Sequence, residues 1–246
     1  MPNLMLNQER GRKCFIKFLS IIDHQLTSFN GTLGFFSVVH DPSIKAVIWD
    51  SGGVIVRTED DSRRRAWEQK LGLSLYELDR IVLGSESWVQ AQRGNILEEQ
   101  YWAEVRRQLN LDERTIWDIR RDFYAEDRVN PVVIDVITRL RPRYKQAVLS
   151  NAVPSLIETL RDRFRVAHLF DLIITSASIG VMKPDPQAYQ TALDALALQA
   201  EETVFIDDLL ENIRGAKKLG MRTIHFETKD YDVRPQLSTL LGGIEL

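Results

Sequence analysis

The chain has 246 residues, of which 44% are hydrophobic and 27% charged, and its formal net charge is −3. That length accommodates one α/β domain plus a smaller insertion, and the composition is ordinary for a soluble globular enzyme. There is no basic field for nucleic acid and no apolar run long enough to span a membrane, and the single cysteine, Cys14, excludes an internal disulfide framework or cysteine zinc site and fits a reducing cytoplasm.

Residues 1–43 read apart from the rest. Cys14, Phe15, Phe18, Leu19 and Ile22 can share one helix face, and the stretch from Ser28 to Thr32 is turn-like. Lys17 interrupts this apolar run, Asp23 ends it, and no small-residue cleavage site follows, so no secretory signal is expected. Three readings stay open: a peripheral helix, a disordered extension, or an upstream region left by a misplaced start codon.

Regular structure begins at Ile44. Residues 46–49 form a short apolar run ending on Asp50 and followed by Ser51-Gly52-Gly53, the form of a buried strand that delivers one acid into a glycine loop. Further runs cover 146–149, ending on Ser150-Asn151, then 172–175, then 204–206, ending on Asp207-Asp208, and 223–226. Helical segments alternate with them. Asn130-Pro131 is an N-cap with proline at the first helical position, and Pro142 follows that helix. Residues 154–164, 186–198 and 209–219 read as further helices, the last closed by Gly220. Such alternation predicts a Rossmann-like parallel sheet flanked by helices.

Residues 58–129 break the rhythm. Segments 63–71, 75–82, 87–93, 98–109 and 115–125 suit helices, and no convincing strand is visible. The expected organisation is an N-terminal extension over 1–43, a core domain over 44–57 and 130–246, and an all-helical cap over 58–129, inserted after the first strand.

In open parallel sheets, ligands bind at the carboxyl ends of the strands. Asp50, Ser150 and Asp207-Asp208 should therefore converge despite their separation in sequence. Carboxylates gathered there repel one another unless a cation lies between them, and an oxygen-lined site suits Mg²⁺, which bridges to substrate phosphate. A carboxylate can attack phosphorus to give an aspartyl-phosphate, with the metal and a lysine spreading the charge of the transferring group. Lys183, in the loop Gly180-Val181-Met182-Lys183-Pro184-Asp185-Pro186, is the candidate lysine.

Four segments carry a family resemblance: Val47-Ile48-Trp49-Asp50-Ser51-Gly52-Gly53-Val54-Ile55, Val148-Leu149-Ser150-Asn151-Ala152, Lys183-Pro184-Asp185-Pro186, and Val204-Phe205-Ile206-Asp207-Asp208-Leu209-Leu210-Glu211-Asn212. In this order they resemble the haloacid dehalogenase-like (HAD) hydrolase superfamily over residues 44–241. The insertion after the first motif is similar to the small mobile cap of one subgroup, and Arg93-Gly94-Asn95-Ile96-Leu97 is similar to cap segments of that branch.

The resemblance implies Asp50 as nucleophile. It implies Mg²⁺ held by Asp50, the Gly52 carbonyl, Asp207 and Asp208, with Asn212 orienting the metal shell. Ser150 and the Asn151 amide would bind phosphoryl oxygens, and Lys183 would stabilise the nucleophile and the developing charge. The implied substrate is a small phosphorylated metabolite. The chain departs from the pattern at Gly52, where most phosphatases of the family carry a second aspartate that protonates the leaving group. Glycine cannot do this, although one branch of presumed sugar-phosphate phosphatases also has glycine there. Ser51, Thr58, Glu59 or a cap residue are the substitutes considered. Two alternatives follow: a metal-independent haloacid dehalogenase, against which Gly52 and the paired aspartates argue, and a catalytically weak phosphate-binding or regulatory protein.

Other residues are set aside. His24, His40, His168 and His225 share no metal-ligand spacing. Arg63-Arg64-Arg65 reads as a solvated face or, more sharply, as an anion guide. Trp88, Trp102 and Trp117 read as the core of the insertion, with facing the substrate as the alternative for Trp88, and Gly242-Gly243 reads as a fraying terminus.

Overall fold

The computed structural model describes residues 44–227 and 231–246. The readings offered for residues 1–43 lie outside the described residues.

Strand β1 (Ala46–Trp49) is followed by β2 (Val56–Thr58). Five helices come next: α1 (Ser62–Leu71), α2 (Glu77–Leu83), α3 (Glu86–Gln92), α4 (Glu98–Gln108) and α5 (Glu113–Phe123). Strand β3 (Asp127–Val129) returns antiparallel to β2, with Val56 opposite Val129. The sequence reading missed this two-stranded ribbon. Three-residue strands of mixed exposure carry too little alternation to register as strands.

The chain then runs through α6 (Pro131–Leu140), β4 (Lys145–Ser150), α7 (Ser155–Glu158), β5 (Leu172–Thr175), α8 (Ser176–Ile179), α9 (Pro186–Leu196), β6 (Thr203–Asp207), α10 (Leu210–Lys218), β7 (Arg222–His225) and α11 (Arg234–Leu240). Asn130 Oδ1 accepts from the amides of Val132 and Val133, and Pro131 occupies the first turn, so α6 starts where its cap chemistry directs. After α7 the backbone widens into a π-helical turn, Thr159–Arg163, where the sequence pattern predicts one uninterrupted helix.

Strands β5, β4, β1, β6 and β7 lie in that order, all parallel. This is the expected α/β sheet. Its first strand is central, with β4 on one side and β6 on the other, so the chain reverses its direction of winding at β1. Crevices form at the carboxyl ends of strands at such a switch point.

Alternation along the central strands divides the core in two. Val47 and Trp49 of β1, Val148 of β4, and Val204 and Ile206 of β6 face one side, against Val133, Val136 and Ile137 of α6 and Leu237 of α11. Ala46 and Ile48, Ala147 and Leu149, and Phe205 face the other, against Tyr189, Ala192 and Leu193 of α9 and Ile213 and Ala216 of α10. Burying each large apolar side chain contributes about 1.5–3 kcal/mol. The polar end of Trp49 is satisfied internally, its Nε1 donating to Gln146 Oε1 at 2.9 Å.

Helices α1–α5 share a third cluster that includes Leu78, Val82, Tyr101, Trp102, Val105, Ile119 and Phe123. Trp102 is buried in it and Trp88 packs against it, with its ring 5.1 Å from that of Tyr101. Trp117 is 63% exposed, so it is not part of this core; it occupies the outer face of α5. The arginine run is neither a solvated face nor an anion guide at Arg64 and Arg65. Arg64 is buried, its ion pairs and hydrogen bonds reaching Asp79, Thr58 and the Phe123 carbonyl, and Arg65 pairs with Asp79 and Glu68. Arg63 alone keeps the half-exposed position expected of a helix surface. Among the described residues, no helix is long and apolar enough to cross a membrane.

Candidate active site

The register delivers the acids together. Trp49 pairs with Ile206, and the Asp50 amide donates to the Ile206 carbonyl at 2.8 Å, so Asp50 and Asp207 leave neighbouring strands at the same level. Asp50, Asp207 and Asp208 each offer a carboxylate oxygen within 4.8 Å of the others.

Lys183 enters from the loop between α8 and α9. Its Nζ donates to Asp50 Oδ1 and to Asp207 Oδ2, both at 2.7 Å, from a position only 3% exposed. The loop is clamped by Asn151, whose side-chain oxygen accepts from the Lys183 amide at 2.8 Å while its Nδ2 donates to the Lys183 carbonyl at 2.9 Å. This side-chain role of Asn151 was missed by sequence reasoning, which considered only its backbone amide. An asparagine at a strand end was the available signal, since its side chain can replace backbone partners in an irregular loop.

The glycine loop after β1 closes tightly. The Ser51 carbonyl accepts from the Val56 amide, and the Gly53 amide donates to the Val56 carbonyl, both at 2.8 Å. Gly53 has φ +79°, and a Cβ there would stand 2.3 Å from an Asp208 carboxylate oxygen. Glycine is required at that position by both backbone and neighbour. Gly52 differs: its φ is outside the left-handed region, and a Cβ there would meet nothing within 4 Å.

Asn212 sits in the first turn of α10 and donates through Nδ2 to both Asp207 carboxylate oxygens at 3.1 Å. Its Oδ1 is buried without a partner. The Tyr189 hydroxyl donates to the Asn212 carbonyl at 2.8 Å, fixing α10 against α9. A ring nitrogen of His225 lies 2.9 Å from the backbone carbonyl of Asp208. Ser150, the last residue of β4, is buried at the same strand-end edge and pairs in register with Thr175.

The helical insertion reaches this edge through its α3–α4 turn. Gln92 Nε2 donates to the Asn151 carbonyl at 2.6 Å, and Ser176 Oγ donates to the Gln92 carbonyl at 2.6 Å. Gly94, with φ +72°, passes so close to α8 that a Cβ would meet the Ala177 carbonyl at 2.5 Å. Gln92 and Ser176 were not singled out in the sequence, because neither residue type announces a contact that only the folded insertion creates.

The electrostatics follow from crowding. Burial raises the Asp50 carboxyl above its ordinary range and Asp207 adds to this, while Lys183 opposes both. Burial by itself would depress the Lys183 ammonium, but Asp50 and Asp207 outweigh it and hold the group above its ordinary value. Asp208 is pushed up to about 6, first by burial and then by repulsion from Asp50 and Asp207. One ammonium among three carboxylates leaves negative charge uncompensated. The unpartnered Asn212 oxygen and the three acids fit a hard divalent cation.

A family model for haloacid dehalogenase-like hydrolases matches residues 44–220. The chain belongs to this family. It is 30% identical over 224 residues to Phosphatase MT3486 of Mycobacterium tuberculosis, covering 82% of this chain and 98% of that protein. It is also 30% identical over 214 residues to Acyl-CoA dehydrogenase family member 10 of Mus musculus, covering 81% of this chain but 19% of that much longer protein. In fold, this HAD-like chain is similar to the HAD family enzyme bt-2542 of Bacteroides thetaiotaomicron, solved in complex with magnesium and inorganic phosphate. The TM-score is 0.67 at 20% identity, over 78% of this chain and 98% of that one.

Proposed function

We propose that the chain is a Mg²⁺-dependent phosphatase acting on a small phosphorylated metabolite through an aspartyl-phosphate on Asp50. The observation that carries this reading is the buried Asp50 carboxylate held by Lys183 beside two further aspartates at the switch point of the sheet. A phosphatase relative that matches across nearly its whole length, and a similar fold solved with magnesium and phosphate, support it.

In this reading Asp50, Asp207, Asp208 and the Gly52 carbonyl would hold Mg²⁺, and Asn212 would orient Asp207. Bound there, the ion would supply positive charge against the transferring phosphoryl group. Asp50 attacks phosphorus in line, and the leaving oxygen departs with the P–O electron pair. Lys183 keeps Asp50 ionised and aimed, and offers its charge to the oxygens as they become more negative. Ser150 and the Asn151 amide bind the remaining phosphoryl oxygens. The helices between β2 and β3 would act as a cap, meeting the strand-end edge through the Gln92 contact to Asn151. The single cysteine is consistent with work in the cytoplasm.

The test is phosphate release from a panel of phosphorylated metabolites, with and without Mg²⁺. Metal-dependent turnover of at least one supports the reading. Stoichiometric phosphate binding without turnover favours the alternative that Gly52 keeps open, a phosphate-binding regulatory protein.

A further inference from the structure

Two adjacent glycines after the nucleophile have different reasons to be glycine. Gly53 cannot be anything else, because its φ is +79° and a side chain would collide with Asp208. Gly52 is under no such constraint: a Cβ there would meet nothing within 4 Å, and the residue is exposed at the mouth of the site. Backbone geometry does not explain the missing side chain beside the reacting centre.

Two of the other candidate proton donors, Thr58 and Glu59, are engaged elsewhere. Thr58 Oγ1 donates to Asp127 Oδ1 at 2.7 Å and accepts from Arg64 at 2.7 Å within the ribbon network. Glu59 accepts from Arg57 Nε at 2.6 Å. Lys183 is also engaged: it lies buried, with its Nζ donating to Asp50 Oδ1 and to Asp207 Oδ2, both at 2.7 Å.

We infer that the substrate is a phosphate whose leaving group needs no proton from the protein: an acyl, enol, aryl or anhydride phosphate rather than a simple alkyl ester. This rests on the phosphatase reading above and names the substrate class for the same site. An alkyl alcohol is about as weak an acid as water, and leaves badly as an anion. A phenol, with a pKa of about 10, leaves far more readily. In the first step Asp50 Oδ bonds to phosphorus, the bond from phosphorus to the leaving oxygen breaks, and that oxygen keeps the electron pair. In the second, water bonds to phosphorus and the bond to Asp50 breaks. The protons of water end on phosphate, and one passes through solvent to the released anion.

The experiment uses the full chain with Mg²⁺ and a series of para-substituted phenyl phosphates, which differ in leaving-group pKa but little in shape, with glycerol 3-phosphate as the alkyl member. The variants are Gly52→Asp and, as a control of similar shape without a carboxylic proton, Gly52→Asn. Expected is a steep fall of kcat/KM with leaving-group pKa in the native chain, at least about 10²-fold across the series, the lower range of what a general acid contributes. Gly52→Asp should raise kcat/KM for the poorest leaving groups by about 10-fold or more while Gly52→Asn does not. Melting curves and Mg²⁺ titrations confirm that both variants are folded and loaded. A flat series in the native chain overturns the inference while leaving the phosphatase reading intact, and so does a folded, metal-loaded Gly52→Asp that flattens nothing. Release of phosphate from no member overturns both.

Discussion

Lys183 lies 133 residues after Asp50 in the chain, yet its Nζ stands 2.7 Å from Asp50 Oδ1 in the buried floor of the site. Removing one partner of a buried ion pair leaves a charge that the interior cannot solvate, at a cost of about 3–5 kcal/mol. Lys183→Met should therefore lower the stability of the metal-free protein by roughly that amount, measured by urea unfolding. Added Mg²⁺ should restore part of the loss, since it neutralises the same carboxylates. Unchanged stability would mean that the ammonium does not balance the acids.

Gly53→Ala and Gly52→Ala make a matched pair. The first forces an L-residue to φ +79° with its Cβ 2.3 Å from Asp208, and should cost about 1–3 kcal/mol and weaken Mg²⁺ binding. The second meets no atom within 4 Å, so melting temperature and Mg²⁺ affinity should stay close to native. Calorimetric titration of both variants checks this, and equal losses would show the loop to be set differently.

Mg²⁺ affinity should fall as pH drops through about 6, the value to which Asp208 is raised, because proton and cation compete for that carboxylate. The same shift acts on stability in the opposite sense. The folded chain binds this proton more tightly than the unfolded one, so the metal-free protein loses stability as pH rises from the ordinary carboxylate range through about 6. Asp208→Ala should reduce this dependence and weaken Mg²⁺ binding strongly, whereas Glu211→Ala, a change at an exposed position three residues further on, should do neither. Titrations at several pH values that gave equal affinities for the two variants would refute the placement.

Arg64 ties α1 to the ribbon joining the insertion to the sheet, through Thr58, and lies 3.8 Å over the Phe123 ring. Arg64→Met should cost about 3–5 kcal/mol, with faster hydrogen exchange in α1 and α5 before the sheet. Arg63→Ala, at a half-exposed position, should change stability by no more than about 0.5 kcal/mol. Similar losses from both would show that burial does not separate their roles.

The sheet was legible in the sequence because its central strands are apolar on both faces and end abruptly on polar residues, as Ala46 to Asp50 does. Asp50, Asp207, Asp208 and Lys183 could be chosen as candidates because strand ends converge in a parallel sheet. What stayed hidden depends on partners distant in sequence. The Asn151 clamp on Lys183, the Gln92 and Ser176 contacts and the burial of Arg64 leave no periodic signal. Trp117 was misassigned because its residue type argues for burial while its position on α5 faces outward. The contrast between Gly52 and Gly53 required coordinates, since both are the same letter.

In the proposed reaction the Asp50 carboxylate forms the bond to phosphorus. The direct test is Mg²⁺-dependent hydrolysis of 4-nitrophenyl phosphate by the native chain and by Asp50→Asn, with melting curves for both. An amide cannot form the acyl-phosphate, so the variant should remain folded, with stability equal to or above native because the like-charge cluster is relieved. Its turnover should fall by at least about 10³-fold, as removal of a nucleophile does elsewhere. Turnover in folded Asp50→Asn equal to that of the native chain would contradict the account.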